Sequence, residues 1–325
     1  MKHYQQWQKN NNHLAVENPD VIQALAGSTL PNEPANVRTT YGSLGSSETI
    51  RETSIGPRRA MPLPEGGGHI NDIWWFIGFV EGDGSFLVST TKGGRTQVFF
   101  IINQKDPKVL WKIRDILGIG KISQYDTYYR YVLTKNDHIL FLINIFNGRL
   151  ILKKTNKRFN NWLKVEKYSH IPRGKSDYES YTLSNAWLSG FIEAEGCFNA
   201  RVTRPKAASD NSLRIRLRFI IDQKNESDLL LRIKESFNCG FIATRAEKEM
   251  KRFVLDANKR QSRIIDYLET YPLKGDKKVS YIKFKRLWNK LELKQHLNIT
   301  SSKVRKRLLN LVETINSREH HHGKR

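Results

Sequence analysis

Two acidic side chains stand at the same place in a nine-residue pattern that the chain carries twice. The first copy, GFVEGDGSF, covers residues 78–86, and the second, GFIEAEGCF, covers residues 190–198. Read as a helix, each copy brings one acid, Asp83 or Glu195, to the C-terminal end of that helix. The partial negative charge there disfavours an anion by a few tenths to ~1 kcal/mol. An acid repeated at an unfavourable position indicates a chemical use.

The small residues of each copy predict that the two helices pack against each other. Gly78 and Gly82 are four residues apart and share a helix face, and Gly190 and Ala194 repeat the spacing. A glycine inside a helix costs roughly 1 kcal/mol relative to alanine, and close packing of the two backbones would offset that cost. Such packing would relate the two halves by a pseudo-two-fold axis.

If the helices pack side by side, the carboxylates of Asp83 and Glu195 meet. Two like charges so close must share a proton or bind cations. Mg²⁺ suits both carboxylate and phosphate oxygens, and such ions can clamp the attacking and leaving oxygens of a phosphodiester displacement. The alternative is that the two acids only cap or solvate the ends of their helices.

The elements that would position these acids also repeat. Residues 100–106 match residues 219–225 at an offset of 119, against 112 for the nine-residue copies, and the seven extra residues fall at 204–212. This pattern indicates a duplicated α+β domain rather than a solenoid. The first half is predicted to contain helix 72–83, strands 84–91 and 95–104, helix 107–117, strands 119–125 and 128–134, and helices 136–147 and 153–166. The second half is predicted to contain helix 184–195, strands 196–204 and 212–222, helix 225–237, strands 239–246 and 250–256, and helices 258–270, 277–293 and 300–316.

Five segments follow from this pattern. Residues 1–70 are a low-complexity N-terminal extension, expected to be mostly disordered with a weak helix at 20–26. Residues 71–166 form the first half, residues 167–183 a polar linker, residues 184–316 the second half and residues 317–325 a tail. Asn71 or Asp72 is the expected N-cap of the first motif helix, and Ser184 that of the second.

The charge of the chain favours a polyanionic partner. The sequence has 325 residues and a formal net charge of +23, and residues 1–70 hold six basic and six acidic side chains, so the remainder carries the surplus. Such a field favours nucleic acid. An anionic membrane surface is the alternative, but the longest apolar run, residues 73–80, is far too short to span a membrane.

Cys197 and Cys239 form no disulfide framework, which indicates a reducing compartment. We interpret His320–His322 as a solvated tail rather than a metal site.

One face of the predicted sheets is polar. Arg214, Arg216 and Arg218 alternate with apolar residues along one strand, and three like charges on one face repel each other unless a partner neutralises them. A solvated face is the alternative. The candidate nucleic-acid contacts are Ser89, Thr91, Arg95 and Gln97 in the first half and Asn199, Arg201, Thr203, Arg214, Arg216 and Arg218 in the second.

Residues 76–84 and 188–196 together resemble the two motifs of a single-chain LAGLIDADG homing endonuclease. The resemblance covers residues 71–325, and Phe76 and Phe79 replace smaller aliphatic residues of the family motif. It implies a pair of αββαββα halves, each with a saddle-shaped antiparallel sheet over the DNA major groove and with the motif helices at the centre.

The resemblance also implies site residues. Asp83 and Glu195 would ligate the metal together with the main-chain carbonyls of Gly82 and Ala194. Gln104 and Gln223 would order water near the scissile phosphate. Lys154 and Lys277 would stabilise negative charge, with Lys153 and Lys278 as competing candidates. Glu81 and Glu193 would serve the structure.

These features predict a monomeric, Mg²⁺-dependent endonuclease, with Mn²⁺ able to substitute, that cuts both strands of a specific DNA site across the minor groove and leaves short 3′ overhangs. The alternative is an RNA-binding maturase that helps its host intron to splice, and a DNA-binding regulator is a weaker third candidate. No secretory or transit signal is evident. The resemblance implies an intron-encoded protein of a fungal mitochondrial genome, so residues 1–70 could be read-through from an upstream exon.

Overall fold

The computed structural model describes residues 67–175, 181–203, 211–247 and 249–315. The expectations for a helix at 20–26, for the histidine run and for the tail fall outside these residues. Within them, no helix is both long and apolar enough to cross a membrane. Cys197 and Cys239 are both free thiols.

The two halves have the same order of elements. The first half comprises α1 (Gly67–Asp83), β1 (Gly84–Thr90), β2 (Thr96–Gln104), α2 (Lys108–Leu117), β3 (Lys121–Gln124), β4 (Tyr129–Leu133), α3 (Asn136–Phe146) and α4 (Lys153–Trp162). The second comprises α5 (Trp187–Glu195), β5 (Gly196–Thr203), β6 (Arg214–Lys224), α6 (Ser227–Phe237), β7 (Phe241–Thr244), β8 (Met250–Leu255), α7 (Ser262–Thr270), α8 (Lys277–Glu292) and α9 (Ser302–Thr314). The predicted α+β repeat is confirmed.

Each half folds its strands into one antiparallel sheet. The strand orders are β1-β2-β4-β3 and β5-β6-β8-β7, so β1 and β5 occupy equivalent edges. The apolar residues of the alternating pattern face the helices: Phe86 and Phe100 are buried in the first sheet, and Phe198 and Phe219 in the second. These rings pack 5.6 Å apart in the first half and 5.4 Å apart in the second. The polar residues therefore lie on the opposite face.

Helices α2 and α6 close the buried faces in matching ways. Each is amphipathic, with buried apolar residues at helical spacing. Each ends at a left-handed residue, Gly118 at φ 78° and Asn238 at φ 47°. Glycine and asparagine are the residues that tolerate this conformation best, so the two halves stop their helices with the same backbone geometry.

The ends of several elements differ from the sequence-based prediction. Helix α1 begins at Gly67, so Asn71 and Asp72 lie inside it rather than capping it. Helix α5 begins at Trp187, and its first N–H donates to Asn185 Oδ1 at 2.9 Å, so Ser184 as its cap was wrong. Helix α4 ends at Trp162 and is followed by the short 3₁₀ turn Glu166–Tyr168, where the prediction extended the helix to residue 166.

The helix predicted at 258–270 is likewise divided into a 3₁₀ turn, Asn258–Arg260, and helix α7. The amide of Gln261 lies at the junction and donates to the carbonyl of Leu255 at 2.8 Å. The side chain thus ties the junction to the end of β8, a tertiary contact that periodicity does not reveal.

Candidate active site and nucleic-acid interface

Helices α1 and α5 cross in direct backbone contact. A Cβ at Gly78 would lie 1.8 Å from the carbonyl oxygen of Trp187, and one at Gly190 would lie 1.8 Å from that of Trp75. One turn further along, a Cβ at Gly82 would lie 2.5 Å from Cβ of Ala194. Only residues without or with minimal side chains fit here. The predicted pairing of the two motif helices is therefore present and has pseudo-two-fold symmetry.

The first acid of each motif anchors a neighbouring helix. The buried carboxylate of Glu81 accepts hydrogen bonds from the N–H groups of Ile151 and Leu152, directly before α4. The buried carboxylate of Glu193 accepts from the N–H groups of Lys274 and Gly275, each at 2.9 Å, and of Lys277 at 3.0 Å, at the start of α8. An acceptor at a helix N-terminus satisfies N–H groups that lack partners within the helix.

Burial acts on both of these carboxylates. It raises the pKa of Glu81 to about 8, opposed by the two backbone hydrogen bonds. It also raises the pKa of Glu193, opposed by the backbone N–H groups of Gly275 and Lys277. Both side chains face loop backbone, so the geometry fits the structural role that the motif resemblance implied.

The second acid of each motif faces the same space from opposite halves. Glu195 Oε1 lies 3.1 Å from the point that a Cβ at Gly82 would occupy, at the C-terminal end of α1 next to Asp83. Burial raises the pKa of Glu195, and the negative charge of Asp83 raises it further. The two carboxylates are thus close enough to interact.

A buried or half-buried amide accompanies each of these acids. Gln104 Nε2, at the end of β2, donates to Asp83 Oδ2 at 2.8 Å. Gln223, at the equivalent end of β6, makes a side-chain hydrogen bond to Glu195 that favours its ionised form. Both glutamines named from the motif resemblance therefore contact the acids directly.

The structure separates the competing lysines. Lys277 is partly buried, and its Nζ donates to the carbonyl of Ala194 at 3.1 Å, whereas Lys278 is exposed. Burial lowers the pKa of Lys277, opposed by the charges of Glu193, Asp83 and Glu195 among others. Its ammonium group therefore lies next to Asp83 and Glu195, the second acid of each motif.

In the first half the lysine is held less firmly. Lys153 Nζ pairs with Asp228 at 3.2 Å. Lys154 is exposed, but its positive charge acts on Glu195 and opposes the rise of that pKa. The geometry therefore favours Lys154 over Lys153 and makes the two sides of the site unequal.

The candidate nucleic-acid contacts share the open faces of the sheets. In the first sheet Ser89 lies opposite Gln97, and the Thr91 N–H donates to the Arg95 carbonyl at 3.0 Å to close the hairpin. All four of these side chains are exposed. In the second sheet the cross-strand pairs are Asn199–Arg218, Arg201–Arg216 and Thr203–Arg214. The residues named for this role within the strands thus lie on the face opposite the core, and Thr91 and Arg95 lie in the hairpin beyond the strand ends.

The second sheet concentrates positive charge. Burial and the nearby guanidinium groups of Arg201, Arg216 and Arg252 lower the pKa of Arg218, whose Nη2 donates to Asn199 Oδ1 at 2.7 Å. Arg216 pairs with Asp256, which offsets part of the repulsion. An anion on this face would relieve the rest.

Comparison with known proteins then decides the family. The family model described as LAGLIDADG endonuclease matches residues 76–166 and 188–288, more than half of the chain. The chain belongs to the LAGLIDADG endonuclease family. The resemblance stated from its two motifs is confirmed.

Individual relatives fit this family. A Neurospora crassa protein named "Probable intron-encoded endonuclease 4" is 33% identical over 229 residues, which is 69% of this chain. The chain spans only 41% of the length of that relative. The Saccharomyces cerevisiae intron-encoded RNA maturase bI4 is 30% identical over 129 residues, 38% of this chain and 19% of its own length.

A solved structure shows the same fold. The LAGLIDADG meganuclease I-AabMI, bound to uncleaved DNA, superimposes with a TM-score of 0.63 over 75% of this chain and 99% of its own. The two sequences are 23% identical. The architecture of two sheets flanking paired motif helices is thereby confirmed as that of single-chain LAGLIDADG proteins.

The oxygen atoms around the LAGLIDADG acids fit a divalent cation. In the part of the chain that the structure describes, no three His, Cys, Asp or Glu side chains gather at a metal-binding distance. The carboxylates of Asp83 and Glu195 face one space, and the carbonyls of Gly82 and Ala194, which the motif resemblance adds, would complete the oxygen ligands from the protein. Mg²⁺ is commonly held by one or two carboxylates with water and substrate phosphate completing its shell. The mutual repulsion of the two acids is the feature that a cation would relieve.

The structure also reveals two polar pairs on the LAGLIDADG sheets that the sequence-based prediction missed. Arg130 Nε donates to Asn103 Oδ1 at 2.9 Å, and its guanidinium stacks over the Tyr125 ring at 5.0 Å. At the equivalent place in the second sheet, Arg252 Nε donates to Asp222 Oδ1 at 2.6 Å. The signal was present, since Arg130 and Arg252 align in the internal repeat.

Proposed function

We propose that the chain is a site-specific endonuclease that hydrolyses one phosphodiester bond in each strand of a DNA duplex. The observation that carries the proposal is the convergence of Asp83 and Glu195 at the ends of two packed helices, between two sheets with polar outer faces. A pseudo-two-fold pair of acids matches the approximate two-fold symmetry of a DNA duplex.

Asp83 and Glu195, with the carbonyls of Gly82 and Ala194, would hold divalent ions, Mg²⁺ by preference and Mn²⁺ as a substitute. When bound, such ions polarise phosphate oxygens and stabilise the charge that develops during displacement. Gln104 and Gln223 fix the orientation of the two carboxylates through their amide groups. On this proposal the same side chains would also order water near the scissile phosphates.

Lys277 supplies positive charge beside the acids. Its partly buried ammonium group lies in a medium where a charge acts more strongly on its neighbours than in water. It would stabilise the negative charge that builds up on a phosphate during cleavage. Lys154 would serve the other strand from a more exposed position.

The open faces of the sheets would bind the duplex through the major groove. Arginine favours guanine edges, while asparagine and glutamine favour adenine. Other side chains on these faces would contact phosphates and set the register without reading sequence. The contacts that we propose are Ser89, Thr91, Arg95 and Gln97 from the first sheet and Asn199, Arg201, Thr203, Arg214, Arg216 and Arg218 from the second.

Cleavage of a randomised DNA library in the presence of Mg²⁺, followed by sequencing of the cut ends, tests this function. We expect one recurring site, cut in both strands. Asp83→Asn and Glu195→Gln should each abolish cleavage while leaving DNA affinity largely intact, because both replacements keep the shape and remove the charge. Parallel loss of DNA binding in folded variants would contradict the assigned role.

The second candidate is an intron RNA maturase, which the similarity to the Saccharomyces cerevisiae maturase favours. This activity needs neither acid for hydrolysis. Absence of any cut site in the library, together with tight binding of the host intron RNA, would promote it over the nuclease.

Both halves lie in one chain, which supports action as a monomer with internal pseudo-dimer symmetry. The intron-encoded name of the Neurospora crassa relative supports an origin in an intron, and the mitochondrial setting follows from the family resemblance. On this proposal the protein acts in the mitochondrion, its partners are double-stranded DNA and, as a second possibility, intron RNA, and it binds no membrane.

A further inference from the structure

A basic groove runs along the exposed side of helix α4. It encloses about 620 Å³ between α4 and residues 173–175 of the following segment. Five cationic side chains line it, and among the residues that the structure describes no carboxylate does. These are Lys153, Lys157, Lys164, Arg173 and Lys175.

The groove lies at the edge of the first sheet, close to the β1–β2 hairpin. Helix α4 lies beside the edge strand β1, where Trp162 Nε1 donates to the carbonyl of Leu87 at 3.2 Å. Its N-terminal end is held by Glu81 next to the motif acids. At its other end, Asn161 and Lys164 also line a smaller recess with Gly94 of the β1–β2 hairpin.

The basic row therefore extends from the active-site end of the half to the tip of its hairpin. The ten residues of α4 span about 15 Å. That length equals the axial rise of about four phosphates of one DNA strand. A row of cations along this length suits the continuous phosphate backbone of one strand better than a single bound anion.

Several cations of the groove are not neutralised by an ion pair among the described residues. Lys153 is paired with Asp228, but Lys157, Lys164 and Arg173 have no carboxylate at ion-pair distance among the described residues. The first sheet offers fewer cations than the second on its open face. A basic helix beside that sheet would supply the phosphate affinity that the sheet lacks.

We propose that this groove binds the sugar–phosphate backbone of the DNA target and so extends the DNA interface of the first half beyond the open face of its sheet. The proposal rests on the proposed DNA-binding function. DNA is favoured over RNA because none of the described residues that line the groove is aromatic, whereas binding of unpaired RNA bases relies on aromatic stacking. The side chains meet a phosphate backbone, so they add affinity without sequence preference.

The test compares two double variants with the same loss of charge. Lys157→Gln/Lys164→Gln changes the groove, and Lys112→Gln/Lys234→Gln changes α2 and α6, which cover the core side of the sheets. The affinity for a fluorescein-labelled DNA duplex of random sequence is measured over a series of salt concentrations with EDTA present. The groove variant should lower the slope of log affinity against log salt by about 2, since each lost phosphate contact removes roughly 0.9.

The control variant should keep the wild-type slope, and Arg173→Gln, outside any helix, should lower the slope by about 1. An equal slope for groove and control variants overturns the proposal. So does a groove variant that loses affinity for single-stranded RNA of the same sequence but not for DNA. The binding assay includes no cleavage step. Failure to cut DNA in the library experiment would therefore refute the proposed function, whereas the salt dependence of binding would still decide whether the groove binds DNA.

Discussion

Lys277 places a positive charge beside Asp83 and Glu195, and its removal tests that charge directly. Lys277→Met keeps the length of the side chain and loses its hydrogen bond to the carbonyl of Ala194. We expect cleavage to slow by about two orders of magnitude, the cost of removing one donor that stabilises a transition state. The thermal unfolding midpoint should not fall, because the variant no longer buries a charge.

Lys278→Met is the matched control at this scale. Lys278 is the next residue and is exposed, so single-turnover cleavage should stay within a few-fold of wild type. Equal loss of rate in both variants would mean that only the total charge near the site matters. Position would then have no part in catalysis.

The contact between helices α1 and α5 is what brings the two acids together. A Cβ at Gly78 would lie 1.8 Å from a backbone oxygen of α5, and a backbone cannot rotate away as a side chain can. Gly78→Ala should therefore lower the free energy of unfolding by about 1–3 kcal/mol through overpacking, despite the better helix propensity of alanine. Urea unfolding measures the effect.

The same substitution elsewhere separates packing from propensity. A Cβ at Gly93, in the β1–β2 hairpin, would meet no atom within 4 Å. Gly93→Ala should change stability by no more than about 0.5 kcal/mol. A Gly78→Ala variant as stable as this control would show that the two helices separate at no cost, and the close crossing would lose its explanation.

For the molecule as a whole, the duplicated halves present unlike surfaces to DNA. The open face of the second sheet carries a row of arginines, while that of the first carries neutral polar side chains such as Ser89 and Gln97 together with the apolar Leu87 and Phe99. We therefore expect a target that is not palindromic, with more guanine in the half that the second sheet reads. The cut sites from the randomised library give this composition directly.

Single substitutions can orient that target. Arg214→Gln should relax selectivity, by about 1–3 kcal/mol at one base pair, in one half of the site only. Gln97→Ala should relax it in the other half. A palindromic site, or two variants that affect the same half, would contradict the assignment of one sheet to each half.

Local pattern was enough to predict most of the architecture. The two-residue alternation of the strands identified the face that carries Arg214, Arg216 and Arg218, because a strand must place neighbours on opposite sides. The small residues at spacing four identified the face by which α1 and α5 meet. Because the motif occurs twice in the sequence, Asp83 and Glu195 were recognisable as a pair from the sequence alone.

Other features required the tertiary structure. Lys277 and Lys278 are adjacent in sequence, and neighbouring helix positions differ by about 100° in direction. Which of them meets the acids depends on how Glu193 holds the first turn of α8. The hydrogen bond from Gln104 to Asp83 and the groove beside α4 arise in the same way, from segments distant in sequence. The sequence by itself determined which residues are available and on which face of each element they lie, because both follow from local periodicity. The docking of those elements, and hence which side chains meet, was decided only by long-range packing.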